Sequence, residues 1–125
     1  MENEIRRLPD AELEVMQAVW DCEPPVHRSD IDRRLSGENP KAMTTVLTLL
    51  SRLCDKGFLR QEKEGRSNLY TPLVSRRDYL AAQSRSIVKT LFGGSMSAFA
   101  SALCDSGLTK EELAQLRDAL EKGTL

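Results

Sequence analysis

The sequence predicts a mostly α-helical fold, because apolar residues recur at helical spacing along most of the chain. Strand-like residues are concentrated in one stretch, residues 58–73, which a glycine-containing turn divides into a hairpin. Three helical patterns precede this hairpin, and that is the element order of a winged helix-turn-helix domain. We therefore expect a winged helix-turn-helix domain over residues 1–74 and a helical dimerisation domain over residues 75–125.

Prolines, glycines and capping residues mark the ends of the predicted elements in the first domain. The first helix covers about residues 9–22, and Pro24-Pro25 then interrupts the chain before a very short strand at Val26-His27. The second helix covers residues 29–36 and begins with Ser29 and Asp32 in a capping pattern. The third covers about residues 41–56, and Gly57 separates it from the hairpin of residues 58–64 and 69–73, whose turn is residues 65–68.

The predicted helices after residue 75 carry more apolar surface than the first domain can cover. Ser75 with Asp78, and Thr109 with Glu112, fit the capping-box pattern at two helix starts. We expect the apolar surface to pack against a second copy of the chain, since two-fold dimers are the commonest oligomers. Packing onto the first helix of the same chain is the alternative. The predicted dimerisation residues are Leu80, Ile87, Leu91, Phe92, Met96, Phe99, Leu103 and Leu116.

The helix predicted over residues 41–56 divides into two faces at 100° per residue. The face expected to join the core consists of Ala42, Met43, Val46, Leu49, Leu50, Leu53 and Cys54. The opposite face carries the candidate DNA-binding residues Lys41, Thr44, Thr45, Thr48 and Arg52, with Leu47 at the seam.

Three threonines on an outer helix face need a reason, because threonine is a mediocre helix former. In a DNA major groove, short side chains allow the helix backbone to approach the bases, and a threonine methyl can contact a thymine methyl. Arg52 is suited to a guanine edge or a phosphate. A solvated face that happens to be rich in threonine is the alternative.

Further phosphate contacts are predicted outside the third helix. Arg66 lies beside Gly65 at the hairpin tip, where it can contact an adjacent phosphate or minor groove. Arg28 and Ser29 lie at the N-terminus of the second helix, where backbone N–H groups can bind a phosphate. Charges on the hairpin also protect an exposed edge strand from aggregation, which is the alternative explanation for them.

The net charge of −1 is distributed unevenly along the chain. Residues 26–66 contain nine basic and six acidic side chains, a local charge of +3, so the remainder carries −4. Such a concentration of positive charge favours contact with phosphates.

The composition also argues against other protein classes. No apolar run approaches the ~20 residues of a membrane span, and the N-terminus lacks a secretory signal, so we expect a cytoplasmic protein with no membrane partner. Cys22, Cys54 and Cys104 are far apart in sequence, which favours buried reduced thiols over a metal cluster, and no cofactor is predicted. His27 is the only histidine, and no catalytic set can be built around it, so no enzyme is expected.

Several segments match a known family of regulators. Residues 8–16 (LPDAELEVM) with Val19-Trp20 form one segment, and residues 44–53 (TTVLTLLSRL) with Lys56-Gly57 form another. Residues 70–74, 91–94 and 111–113 continue the match. On these segments the chain, over about residues 8–122, resembles the penicillinase-repressor (BlaI/MecI) family.

The resemblance implies a transcriptional repressor that dimerises through its C-terminal helices and binds a palindromic operator in double-stranded DNA. It places Thr45, Leu47, Thr48 and Arg52 where members contact bases or backbone. A winged domain used only for protein contact is the alternative function.

The resemblance also implies a protease partner, since some members are inactivated by cleavage at an Asn-Phe bond. The corresponding stretch here is residues 101–104 (SALC), and the sequence contains no Asn-Phe pair, so a protease would have to cut another bond. Copper-responsive relatives carry paired C-x-C motifs, which this sequence lacks, so copper sensing is not expected.

Overall fold

Helices account for most of the fold, and a small sheet lies among them, so the predicted fold class is confirmed. The computed structural model describes residues 5–37 and 42–123. The described elements are α1 (Asp10–Trp20), β1 (Val26–His27), α2 (Arg28–Leu35), α3 (Met43–Asp55), β2 (Leu59–Glu64), β3 (Ser67–Pro72), α4 (Arg76–Phe92), α5 (Met96–Asp105) and α6 (Lys110–Gly123).

Helix α2 begins one residue earlier than the sequence predicts, directly after β1. His27 is both its N-cap residue and the strand partner of Leu69, and its side chain makes no capping hydrogen bond. The predicted capping box at Ser29 is therefore wrong, because the strand pairing brings the chain into the helix before Ser29 is reached.

The three strands form an antiparallel sheet in the order β1-β3-β2. Strands β2 and β3 pair from Leu59 with Pro72 to Glu64 with Ser67, so the turn between them has two residues rather than the four predicted. Gly65 has a φ of 63° at the first turn position. A positive φ at that position is what a two-residue type II′ hairpin requires, and glycine adopts it without steric cost.

The core lies between α1, α3 and the sheet. Buried apolar side chains come from α1, α2, α3 and both long strands, and the helices contribute one apolar face each. The most deeply buried of them are Leu8, Val15, Met16, Val19, Val26, Ile31, Val46, Leu50, Leu53, Phe58, Leu59 and Tyr70.

The first turns of α4 belong to this core. The Leu8 N–H donates to the Tyr79 hydroxyl at 2.9 Å, and the Trp20 indole N–H donates to the Val74 carbonyl at 2.9 Å. The Tyr79 ring also packs 5.8 Å from Phe58, edge to face. These contacts are consistent with a division into two compact units, the first ending at Gln83 and the second beginning at Ser84.

The second unit has well-defined helix starts but no buried residue among those described. The Thr109 hydroxyl accepts from the Glu112 N–H at 3.0 Å, and the Glu112 carboxylate accepts from the Thr109 N–H at 2.9 Å. This is the reciprocal capping box predicted from the sequence. The Phe92 and Phe99 rings pack edge to face at 5.4 Å within the unit.

The prediction of buried thiols is wrong for one cysteine. Cys22 and Cys54 are half-buried, whereas Cys104 is exposed near the end of α5, and none of the three forms a disulfide. None of the described residues of α5 is buried, and its cysteine lies at the surface with them.

Among the described residues, no single helix is long and apolar enough to cross a membrane. Helices α4 and α5 reach that length and apolarity only as a pair, which is bent by 93°.

Candidate nucleic-acid interface

Helix α3 presents the predicted polar face to solvent. Thr44, Thr45, Thr48 and Arg52 are exposed, whereas Val46, Leu49, Leu50 and Leu53 on the opposite side are buried, and Leu47 is half-buried between the two faces. Positions 44, 48 and 52 are four residues apart, so their side chains form one stripe along the helix. Lys41 lies outside the described residues.

Two residues predicted for the core face of this helix are exposed instead. Met43 is 57% exposed, and Ala42 is the exposed N-cap residue. The prediction fails here because the helix begins at Met43, and its first turn is exposed in the described part of the chain. An exposed methionine therefore extends the candidate interface beyond the threonine stripe.

The side chains of the stripe differ in which of their hydrogen-bonding groups are available to a ligand. The Thr48 hydroxyl donates to the Thr44 carbonyl one turn earlier at 3.0 Å, which leaves its oxygen lone pairs and its methyl group outward. Within the described residues, Thr45 and Arg52 make no side-chain hydrogen bond. Arg52 is thus an unpaired cation beside three small polar side chains, a suitable set for the edge of a base pair.

Other cations of the basic stretch are already engaged. Lys56 pairs with Glu12, Arg33 with Asp30 at 3.3 Å, Arg28 with Asp32 at 3.5 Å and Arg60 with Glu62 at 3.6 Å. In the part of the chain that the structure describes, Arg52, Lys63 and Arg66 have neither an ion pair nor a hydrogen bond. Within the described part of the basic stretch, residues 26–66, unpaired positive charge therefore lies on α3 and the hairpin.

A polar cleft joins the start of α2 to the hairpin tip. The pairing of β1 with β3 places the β1–α2 junction beside the hairpin turn, and the cleft between them has a volume of about 260 Å³. Its lining residues are His27, Arg28, Ser29, Arg66, Ser67 and Asn68. The cleft brings together Arg28, Ser29 and Arg66, which the sequence predicts separately as phosphate contacts.

The other lining residues were not predicted. The Asn68 Oδ1 atom is buried without a hydrogen-bond partner among the described groups. Asn68 and Ser67 stand in the predicted turn, where a polar residue is ordinary, so only the strand pairing reveals that they line a cleft with Arg28.

Burial suppresses the ionisation of two side chains, Cys54 on α3 and Tyr70 on β3. Burial, and secondly the charge of Asp55, raise the pKa of the Cys54 thiol. Burial also raises the pKa of Tyr70, with a further contribution from Cys54 and an opposing one from Arg28. Both groups stay neutral at pH 7, and the described residues hold no cluster of three metal-ligating side chains.

The predicted dimerisation residues separate into two groups. Leu80, Ile87, Leu91, Met96 and Leu116 are exposed, with Leu91 at 72%, and Leu120, which the sequence prediction omitted, is also exposed. Phe92, Phe99 and Leu103 are half-buried. Leu80 belongs to the first compact unit and the rest to the second.

Comparisons with known proteins give one consistent result. A family model described as penicillinase repressor matches residues 8–122. The penicillinase repressor of Bacillus licheniformis is 32% identical over 119 residues, which cover 94% of this chain and 92% of the relative. The methicillin resistance regulatory protein MecI of Staphylococcus aureus strain N315 is 26% identical, over 98% of this chain and 99% of the relative.

Solved structures agree with these relatives in the first part of the chain. The DNA-binding domain of the repressor BlaI superposes with a TM-score of 0.52 at 35% identity, covering 63% of this chain and 94% of that one. The Bacillus licheniformis BlaI monomer in complex with the blaP half-operator superposes with a TM-score of 0.50 at 37% identity, covering 60% of this chain and 90% of that one.

Proposed function

The chain belongs to the penicillinase repressor family, and we propose that it represses transcription by binding a palindromic operator in double-stranded DNA as a homodimer. Its relatives are repressors, so it is a winged-helix DNA-binding regulator and not an enzyme. The observation that carries the proposal for this chain is the outer face of α3, where Thr44, Thr45, Thr48 and the unpaired Arg52 are exposed together.

In this proposal α3 enters the major groove and distinguishes bases. Thr45 and Thr48 contact base edges or thymine methyl groups, and Arg52 donates to a guanine or a phosphate. Leu47, half-buried at the edge of the stripe, adds an apolar contact. Lys41, at the start of the predicted polar face, keeps its sequence-based assignment as a DNA-binding residue.

The cleft between α2 and the hairpin positions the domain on the backbone. Arg66, which is unpaired, and Arg28 supply positive charge, and Ser29 contributes a hydroxyl and a backbone N–H near the start of α2. Contacts to phosphate fix orientation but carry little sequence information. Substitutions in the cleft should therefore weaken binding to all duplexes alike.

A second copy of the chain is proposed to cover the exposed apolar side chains of the C-terminal helices. A monomer seldom exposes several large apolar side chains on successive helices. Two-fold pairing buries them and presents two α3 helices to two half-sites, which is why a palindromic operator is expected. The residues assigned to this contact are Leu80, Ile87, Leu91, Phe92, Met96, Phe99, Leu103 and Leu116.

Two further parts of the proposal concern the setting of the protein. We place it in the cytoplasm, where its operator would lie. A protease is the proposed agent of release, acting at a bond other than Asn-Phe, because the sequence has no such pair.

The test is selection of duplexes from a randomised pool by the full-length protein, followed by binding measurements at increasing salt. We expect an enriched inverted repeat, bound by two chains. Its affinity should fall by about 10³–10⁵ between about 50 and 200 mM salt if 6–10 phosphates are contacted.

No enrichment of any sequence, or undetectable duplex binding at about 50 mM salt, would contradict the proposal and favour a protein-interaction module. An enriched site without internal symmetry, bound by one chain, would retain DNA binding but remove the homodimer.

A further inference from the structure

One carboxylate lies inside the core of the first unit. Glu12 is 3% exposed on α1, where the neighbouring core positions Val15, Met16 and Val19 are fully buried. It accepts a hydrogen bond from the ammonium group of Lys56, 44 residues later in the chain. Lys56 is the C-cap residue of α3 and directly follows the last residue of the helix, Asp55.

This ion pair is the side-chain hydrogen bond that joins the end of α3 to α1. Over the described chain, no side chain of α3 itself hydrogen-bonds outside the helix, and the Thr48 hydroxyl bonds internally. Directly after the helix the Phe58 N–H donates to the Leu53 carbonyl at 2.9 Å, and the core contacts of α3 are apolar, through Val46, Leu49, Leu50 and Leu53. Apolar contacts are non-directional, so they resist separation of two helices more than rotation of one against the other.

Stability alone does not account for a charge in this place. Taking the Glu12 carboxylate out of water costs free energy that its attraction to the partly exposed Lys56 ammonium repays only with good geometry, and apolar pairs of similar volume often stabilise a protein as well or better. What a hydrogen-bonded ion pair adds is a defined direction and length, which an apolar pair lacks.

Direction matters for α3 because the opposite face of the helix carries the candidate base contacts. Side-chain atoms lie about 5–6 Å from a helix axis, so a rotation of about 10° moves them by about 1 Å. Hydrogen-bond lengths tolerate a range of about 0.5 Å. A rotation of α3 too small to disturb the core would therefore misplace Thr45, Thr48 and Arg52 against base edges.

We propose that Glu12 and Lys56 are positioning residues: their partly buried ion pair fixes the rotation of α3 against α1 and so sets the ability of the protein to discriminate its operator from other DNA. The inference rests on the proposed function. It assigns Lys56, otherwise one of the cations of the basic stretch, to the Glu12 carboxylate instead of to phosphate.

The deciding experiment replaces the pair by apolar residues of similar size, Glu12→Leu with Lys56→Met, in the full-length protein. The probes are the duplex enriched from the randomised pool by the wild-type protein and a scrambled duplex of the same length. The measured quantities are the ratio of the two affinities and the urea midpoint of unfolding. Residual dipolar couplings of the α3 amides, recorded without DNA, report the orientation of the helix.

We expect the double variant to unfold at the wild-type urea concentration or above it, while the affinity ratio falls about tenfold, the discrimination of one well-made base contact. The α3 couplings should change in the same variant. Glu23→Leu, which removes an exposed carboxylate three residues after the end of the same helix, is the matched control and should change none of the three measurements.

A wild-type affinity ratio in the double variant overturns the inference, and so does a lowered urea midpoint, since the pair would then act through stability. Failure of the proposed function can be distinguished from failure of this inference. If the wild-type protein binds no duplex, the α3 couplings, which are recorded without DNA, still show whether the ion pair sets the orientation of the helix. Unchanged couplings in the variant refute positioning, and changed couplings with full stability support it.

Discussion

The two compact units of this chain differ in how far they bury their apolar side chains. In the first unit, apolar faces of three helices and a sheet close over one another, and every buried side chain lies at or before Tyr79. In the second, three helical segments leave Ile87, Leu91, Met96 and Leu120 exposed. The contrast indicates that the first unit can be stable alone, whereas the second needs something to pack against.

The units also differ in the chemistry of their surfaces. Among the described residues of the basic stretch, residues 26–66, Arg52, Lys63 and Arg66 have no ion pair or hydrogen bond. They lie in the first unit, where they suit a polyanion. The second unit exposes apolar side chains on successive helices, which suit another protein surface. The comparison therefore predicts a division of labour, with DNA contact in one unit and self-association in the other.

The largest effect is expected in the core of the first unit. Leu50 is 1% exposed on α3, and Leu50→Ala should lower the free energy of unfolding by about 2–5 kcal/mol, through lost burial and the cavity that remains. Leu91→Ala, the same substitution at a 72% exposed position, is the control. Urea denaturation should show that Leu91→Ala leaves the free energy of unfolding of the first unit unchanged. Equal losses for the two variants would remove the distinction between the units.

Self-association is the next largest effect. Leu91→Asp places a charge on the proposed contact in both copies. A buried leucine contributes about 1.5–3 kcal/mol. Because two-fold symmetry removes this contribution twice, the free energy of dimerisation should fall by at least about 3 kcal/mol. Sedimentation should detect monomers that bind the operator poorly, and Phe99→Asp should behave alike. Leu73→Asp, at an exposed leucine of the first unit, is the control and should remain dimeric. A dimeric mass for Leu91→Asp would remove this residue from the contact.

Local periodicity predicted most of the fold because helices and hairpins are determined largely by residues within one or two turns of each other along the chain. The apolar faces of α1 and α3, the hairpin and the capping box of Thr109 and Glu112 all follow from spacing along one segment. Met43 shows the limit of that method. A helical wheel assigns it to the core face, yet whether a neighbouring element reaches that turn depends on the tertiary fold.

The features that periodicity could not predict depend on distant partners. Glu12 lies four residues after Leu8 and three before Val15, so its place on the apolar face was visible in the sequence. Its partner Lys56 was not, because no local pattern connects positions 44 residues apart. The cleft of Arg28, Arg66 and Asn68 likewise depends on the pairing of β1 with β3.

Base recognition by α3 is the next effect. Arg52→Ala is expected to weaken operator binding by about 1–3 kcal/mol if the guanidinium contacts a base edge, and to relax discrimination at one position of each half-site. Fluorescence anisotropy measures the affinity, and sedimentation should show an unchanged dimer. Arg117→Ala on α6, an exposed arginine next to Asp118, is the matched control. Unchanged operator affinity for Arg52→Ala would exclude this side chain from the interface.

The smallest effect tests whether the two units unfold independently. Thr109→Ala removes the hydroxyl that accepts from the Glu112 N–H, and losing such a cap costs about 1 kcal/mol. Because Thr109 and its partner both belong to the second unit, faster amide hydrogen exchange should be confined to α6, while the amides of α1 and α3 keep their wild-type protection.

Ser75→Ala, which removes the acceptor of the Asp78 N–H at the start of α4, is the counterpart in the first unit and should instead affect the amides around Tyr79. If Thr109→Ala lowers protection in α3 by the same free energy as in α6, the two units form one cooperative structure, and the second draws its stability from the first rather than from a second copy.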